Sequence, residues 1–141
     1  MKQYLFDTNS VSLTFYNSLP EKWKRYWKEV RMGKCGLLLI EPLISEIYYK
    51  NIPKLGKKKS KDHIFWLKSL PQTKIHQLDD NDAIKAGDIK VQYSRYKLSL
   101  VDCFILSVAK DHNAVVFTTD YQMKNVSSKI KVNVNFLPLF K

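Results

Sequence analysis

Short apolar stretches recur along the chain, and each interval between them is long enough to hold a helix. Three of these stretches are almost wholly apolar, which is typical of strands that are buried on both faces of a sheet. A fourth alternates apolar and polar residues, and a fifth lies close to the C-terminal end. The predicted strands are 3–6, GLLLI (36–40), KIHQL (74–78), AVVFTT (114–119) and VNVNF (132–136).

The intervals between the predicted strands carry the spacing of helices. In the segment that follows Pro20, Trp23, Tyr26, Trp27 and Val30 recur every three or four residues and form one apolar stripe. The other predicted helices are 11–18, 42–50, 63–70, 79–96 and 99–113. The lysine-rich segment KNIPKLGKKKSK (50–61) is instead predicted to be an exposed loop.

Strands alternate with helices throughout, which predicts an α/β fold. Such a pattern is typical of a three-layer α/β/α sandwich with a mostly parallel central sheet, covered by helices on both faces. A chain of 141 residues is the usual size of one hydrophobic core, so we expect a single domain over 1–141.

The charge of the chain indicates what it binds. Twenty-four Lys and Arg residues against thirteen acids give a net charge of +11, which favours polyanionic partners. No apolar run is long enough for a membrane span and no secretory segment is seen, so we expect a cytoplasmic protein. The two cysteines, Cys35 and Cys103, lie in apolar surroundings and are predicted to be reduced core thiols.

Four acids fall where the predicted strands give way to helices. Asp7 follows the first strand, Glu46 lies early in the helix after GLLLI, Asp102 lies in the first turn of a strongly apolar helix, and Asp120 follows AVVFTT. In an open parallel sheet, ligands bind outside the carboxyl ends of the strands. The sequence therefore predicts that these carboxylates meet at one edge of the sheet.

Each acid also has a purely structural explanation. Asp7 and Asp120 could cap the helices that follow them, and Ser99-x-x-Asp102 matches a capping box. Glu46 could pair with Lys50, four residues later on the same helix. These explanations stay open from the sequence alone.

Four carboxylates gathered at one place would repel each other and raise their pKa values unless a cation lay between them. All-oxygen ligands suit a hard divalent ion, so we expect Mg²⁺ or Mn²⁺ as cofactor. An acidic metal pocket within a basic protein is suited to hydrolysis of a phosphodiester bond, because lysines hold the phosphate backbone while the metal polarises the phosphoryl group.

The ordered set of acids resembles the PIN domain, the nuclease fold of the VapC-type toxins of toxin–antitoxin pairs. The resemblance rests on FDTNSV (6–11), LISEIYY (43–49) and LSLVDCFILSVAKDHNAVVFTTD (98–120), together with the chain length. It implies an endoribonuclease that hydrolyses mostly single-stranded RNA and leaves a 3′-hydroxyl and a 5′-phosphate.

The resemblance also implies roles for individual residues. Asp7 and Asp102 would contact the metal directly, Glu46 and Asp120 would complete the site partly through water, and the polar side chains of Asn9 and Thr118 would position the acids. An antitoxin protein is an expected partner, and we also expect a homodimer. The exposed cations Lys57, Lys58 and Lys59 are predicted to add RNA affinity without taking part in the chemistry.

Other functional classes fit the sequence less well. A haloacid-dehalogenase-type phosphatase needs a second acid two residues after the first, and Asn9 occupies that position. A receiver domain needs adjacent acids near the first strand, where LFDTNS has only one. The alternative that stays open is a non-catalytic nucleic-acid-binding or scaffold module on the same fold.

Overall fold

The computed structural model describes residues 1–138. Five parallel strands form one sheet, and the order across it is β3-β2-β1-β4-β5. The strands are β1 (Gln3–Phe6), β2 (Gly36–Ile40), β3 (Thr73–His76), β4 (Val115–Thr118) and β5 (Val134–Phe136). The predicted α/β class with a parallel central sheet is therefore confirmed; the last three residues of the predicted 1–141 domain lie outside the described residues.

Six α-helices connect the strands. They are α1 (Thr8–Phe15), α2 (Glu21–Arg31), α3 (Glu41–Ser69), α4 (Asp80–Gln92), α5 (Leu100–His112) and α6 (Tyr121–Lys129), and a short 3₁₀ turn spans Ser94–Tyr96. The chain crosses the sheet in one direction from β1 to β3 and in the other from β4 to β5. Because such crossovers are right-handed, α1–α3 cover one face and α4–α6 the other, as the three-layer prediction requires.

The core forms around the central strands. All five residues of β2 are buried, as a strand covered on both faces should be. On the α1–α3 face, the Phe6 ring stacks on Phe117 at 4.3 Å and meets the edges of Trp23 and Trp27. The tryptophan stripe of α2 is thus a core contact. Cys35 and Cys103 are buried and free, as predicted.

The predicted loop over 50–61 is wrong, because these residues belong to α3. Asn51, Leu55, Ser60, Ile64 and Leu67 are buried or partly buried at near-helical spacing, and lysine is a good helix former on the exposed side. The helix is interrupted only at Gly56, whose φ of +83° lies in the region that favours glycine. Pro53 and Gly56 made this segment resemble a loop, although they mark a kink.

Smaller differences concern helix ends. The first helix begins at Thr8 and not at residue 11, since Asp7 caps it. The predicted helix 79–96 ends as an α-helix at Gln92, and the 3₁₀ turn then leads to Lys97, which has a left-handed φ of +56°. Among the described residues, no helix is both long and apolar enough to cross a membrane.

Buried hydrogen bonds fasten α1 to α3. The Asn51 side chain of α3 donates to Ser12 Oγ at 3.0 Å and accepts from the Tyr16 hydroxyl, and it also donates to the carbonyl of Ile47 within α3 at 2.7 Å. This contact fixes the first half of α3 beside α1. As a result, Glu46 on α3 lies next to the residues that follow β1.

Candidate active site

The four predicted acids line one cleft at the carboxyl edge of the sheet. Its volume is about 200 Å³. It lies where β1 and β4 are neighbours, which is the point where the strand order reverses and where ligands bind in open α/β sheets. The residues that line it are Asp7, Thr8, Asn9, Glu46, Lys50, Lys97, Ser99, Asp102 and Asp120.

Asp7 is the most deeply buried acid of the cleft, with 5% of its surface exposed. One carboxylate oxygen accepts from the Ser10 N–H at 3.0 Å and caps α1, while the other accepts from the Thr118 hydroxyl at 2.5 Å. Burial raises the pKa of Asp7, and the charge of Asp120 adds to this, against the opposing effect of the two hydrogen bonds. Two hydrogen bonds therefore fix the carboxylate in place, and burial disfavours its ionised form.

Asp102 forms the predicted capping box at the start of α5. Its backbone N–H donates to Ser99 Oγ at 3.1 Å, and its carboxylate accepts from the Ser99 N–H at 3.2 Å. Burial is the main reason why the pKa of Asp102 is raised to about 6, followed by the negative charge of Asp7 and, more weakly, that of Asp120. Asp102 therefore forms part of a capping box, as its local pattern predicted, and it also lies close enough to Asp7 and Asp120 to be repelled by their charges.

Glu46 contacts α1 more closely than it contacts its own helix. It accepts a hydrogen bond from the Thr8 hydroxyl at 2.6 Å, whereas Lys50 Nζ lies 4.0 Å away, at the limit of an ion pair. The ion pair with Lys50 that the sequence suggested is therefore present, but it is weaker than the hydrogen bond from Thr8. Thr8 orients the Glu46 carboxylate next to Asp7.

Asp120 caps α6 by accepting from the Gln122 N–H at 2.8 Å. Its own N–H donates to Thr118 Oγ1 at 3.0 Å, and the same Thr118 hydroxyl donates to Asp7. Thr118 therefore links two acids of the cleft, in keeping with its predicted positioning role. Asn9 lies exposed on the cleft wall.

Four residues that line the cleft were not predicted to belong to it: Thr8, Lys50, Lys97 and Ser99. Thr8 lies in the segment FDTNSV, but its bond to Glu46 joins residues 38 positions apart, and no local pattern indicates such a contact. Lys97 reaches the cleft through the left-handed turn after the 3₁₀ segment. The predicted RNA-binding lysines Lys57, Lys58 and Lys59 do not line the cleft and lie exposed on the second half of α3.

The chemistry of the donor set fits a hard divalent cation, because every acidic ligand candidate supplies carboxylate oxygen. Burial is the main cause of the raised pKa values of Asp7 and Asp102, and the charges of neighbouring acids in the cleft add to it. Within residues 1–138, no three acidic, histidine or cysteine side chains lie close enough to hold one ion by themselves. The candidate ligands of such an ion are the four carboxylates that line the cleft.

Comparison with known proteins identifies the fold. The PIN domain family matches residues 4–129. Among solved structures, VapBC2 from Rickettsia felis bound to a promoter DNA fragment has a TM-score of 0.73 at 13% identity, covering 96% of this chain and 98% of that one. DNA-bound VapBC from Salmonella typhimurium has a TM-score of 0.71 at 16% identity, with the same coverage of 96% and 98%.

A toxin–antitoxin complex from Klebsiella pneumoniae is also similar, with a TM-score of 0.62 at 18% identity over 94% of this chain and 96% of that one. At such identities the likeness shows the fold. Among curated proteins, no sequence was similar enough to count as a match. Because the family match spans most of the chain and includes all four acids of the cleft, the chain belongs to the PIN domain family, which is in general a family of nucleases.

Proposed function

We propose that the protein is a Mg²⁺- or Mn²⁺-dependent endoribonuclease that hydrolyses phosphodiester bonds of single-stranded RNA. The observation that carries this proposal is the convergence of Asp7, Glu46, Asp102 and Asp120 on one cleft at the carboxyl edge of the sheet. Membership of the PIN family supports it. The net charge of +11 suits a polyanionic substrate.

In this proposal the residues of the chain divide the work. Asp7 and Asp102 hold the ion directly, while Glu46 and Asp120 complete its surroundings through water. When bound, the ion supplies Lewis acidity toward the scissile phosphoryl group and lowers the pKa of water.

Other cleft residues orient the acids and meet the substrate. The hydroxyls of Thr118 and Thr8 fix the carboxylates of Asp7 and Glu46, so the site keeps its shape as substrate enters. Lys50 and Lys97 line the same cleft and balance the charge of an incoming phosphate.

Asp7→Asn tests the chemistry. The substitution keeps the shape of the side chain and removes the charge that would hold the ion, so we expect cleavage of a labelled single-stranded RNA to fall by at least about 100-fold. Asp62→Asn is the matched control, because Asp62 is exposed, lies outside the cleft and pairs with Lys58, at 3.3 Å. Circular dichroism checks that both variants fold, and a chelator should stop cleavage by the wild type.

Cleavage by Asp7→Asn within a few-fold of the wild type would remove Asp7 from the site. If the wild type binds RNA equally well with metal and with chelator but never cleaves it, the protein is the non-catalytic binding module and the proposal fails.

We propose further that the protein acts as a toxin, as a homodimer, with an antitoxin partner. Support comes from the toxin–antitoxin complex among the similar structures, and from the family. The same Asp7→Asn variant serves here: induced expression of the wild type should arrest growth of a bacterial host, whereas the variant should not.

A further inference from the structure

A cation and two aromatic rings form a cluster directly beside the carboxylate cleft. Lys124 Nζ lies 5.5 Å from the ring centroid of Tyr121 and 5.4 Å from that of Phe136, and the two rings meet edge to face at 6.0 Å. We call Tyr121, Lys124 and Phe136 the Tyr121 cluster. Tyr121 follows Asp120 in the chain, so this cluster begins one residue from a proposed catalytic acid.

The packing of the fold does not account for Tyr121. Tyr121 is 60% exposed, and no hydrogen bond holds its hydroxyl within the part of the chain that the structure describes. A ring in that position contributes little to folding, since exposed aromatic surface gains no burial energy. The position therefore invites a functional explanation.

A second group of cations around an aromatic ring lies at the other end of α6. Lys129, at the end of α6, lies 6.0 Å from the Tyr96 ring, and Arg95 lies 5.2 Å from the same ring. Lys97 follows Tyr96 and lines the cleft. Aromatic faces among cations are what single-stranded nucleic acids bind, because bases stack on the rings while the cations meet the phosphates.

We propose that Tyr121 is a base-stacking position for the single-stranded RNA substrate, and that Lys124 binds an adjacent phosphate. This inference rests on the proposed ribonuclease function and deepens it. A stacked base next to Asp120 fixes the register of the strand in the cleft, so Tyr121 positions the scissile bond without taking part in the chemistry. It also favours unpaired RNA, because a base within a duplex has no free face to offer.

The test measures binding, which does not depend on turnover. Fluorescence anisotropy with a labelled RNA octamer, in chelator and with RNA integrity checked on a gel, gives the Kd of the full chain. Loss of one stacked base costs about 1–3 kcal/mol, so Tyr121→Ala should weaken binding about 5- to 150-fold, and Tyr121→Phe should bind like the wild type. Ile84→Ala is the control, because Ile84 is an apolar side chain with the comparable exposure of 64%, lies on α4 outside the cleft, and should leave Kd unchanged.

Two further measurements separate stacking from charge. An abasic site moved along the octamer should weaken wild-type binding at one position, and that position should no longer matter in Tyr121→Ala. Lys124→Gln should instead reduce the slope of log K against log salt by about 0.7, the value for one phosphate contact of a single strand.

The outcomes distinguish this inference from the function on which it rests. If the wild type cleaves RNA while Tyr121→Ala binds as tightly as the wild type, the stacking inference is wrong and the ribonuclease stands. The stacking inference is equally wrong if Tyr121→Phe binds as weakly as Tyr121→Ala, or if no abasic position is sensitive to Tyr121. If the wild type neither binds nor cleaves RNA, both fail.

Discussion

At the scale of single residues, Asp7, Asp102 and Asp120 each cap a helix and line the cleft. The two roles coincide for a physical reason. In a parallel α/β fold, the helices that return the chain to the start of the next strand begin at the carboxyl edge of the sheet, where ligands also bind. A carboxylate there is stabilised by free N–H groups and by the helix dipole. The same acid can therefore cap a helix and belong to the site, although from the sequence alone these two roles look like alternatives.

Asp102 allows the two roles to be weighed against each other. Its pKa in the folded protein is about 6, above the ordinary value of 3.8, so the folded state holds its proton more tightly than the unfolded state. Stability from this group is therefore greatest below about pH 4 and is lost as the pH rises through about 6. At neutral pH without metal, the ionised carboxylate destabilises the fold by roughly 1–3 kcal/mol.

We therefore expect Asp102→Asn to be stabilising in chelator at pH 7.5, relative to the wild type, and to lose most of that advantage at pH 4.5. Thermal melts of both proteins at the two pH values measure the difference. A variant that is less stable than the wild type at pH 7.5 would show that the charged cap outweighs the repulsion. Asp62→Asn provides the control, because Asp62 is exposed and lies outside the cleft.

The residue scale also shows how far sequence reasoning reached. The positions of the four acids followed from strand ends, and the caps of Asp7, Asp102 and Asp120 followed from local patterns. The Thr8–Glu46 bond did not, because it depends on how α3 packs on α1. That packing depends in turn on the buried Asn51, whose polar contacts span the two helices and have no local signal.

At the scale of elements, α3 is where the prediction was wrong. Lysine-rich composition with Pro53 and Gly56 suggested a loop, yet the apolar positions keep helical spacing on both sides of the kink. The lysine content of the segment indicates that one face is exposed, whereas the spacing of its apolar residues indicates that its backbone is helical. The second half of α3 therefore presents Lys57, Lys58 and Lys59 on a regular helical surface, outside the cleft.

Lys57, Lys58 and Lys59 replaced together by Gln should weaken RNA binding and reduce the salt slope by up to about 2, since each phosphate contact of a single strand contributes about 0.7. Glutamine is also a good helix former, so α3 should persist. Turnover of bound RNA should not change, because none of the three residues lines the cleft.

A matched variant carries Lys22→Gln, Lys28→Gln and Lys34→Gln, which removes three exposed charges near α2 and leaves α3 intact. Both triple variants lower the net charge from +11 to +8. If the two lose affinity equally, the effect comes from overall charge and not from α3. If the α3 triple variant keeps the salt slope of the wild type, its three lysines contribute to solubility and not to RNA binding.

At the scale of the whole molecule, the alternation of strands and helices was enough to predict the class and the parallel sheet. The order β3-β2-β1-β4-β5 could not be predicted from that alternation, because it depends on the direction in which the chain crosses the sheet after β3. The reversal at β1 and β4 is what brings Asp7 beside Thr118, 111 positions further along the chain, and beside Asp120. The site is therefore a product of topology as much as of the acids themselves.

The molecule as a whole is strongly basic, yet four of its thirteen acids line one cleft. A divalent ion that binds there only in the folded state should stabilise the entire fold by mass action, by about 2.7 kcal/mol when the ion is at 100 times its Kd. For a domain of this size, that corresponds to a rise in Tm of roughly 5–10 °C. Melts of the wild type with increasing Mn²⁺ should show this rise as one cooperative transition.

Asp102→Asn should gain much less from Mn²⁺ than the wild type, because the substitution replaces a proposed direct ligand of the ion by a neutral amide. Asp62→Asn should gain as much as the wild type, which excludes a general effect of salt on a basic protein. If the wild type and Asp102→Asn gain equally, and the variant is the weaker of the two in chelator, then Asp102 is only a helix cap. The proposed metal site would then lose one of its two proposed direct ligands, and only Asp7, Glu46 and Asp120 of the four cleft acids would remain to hold the ion.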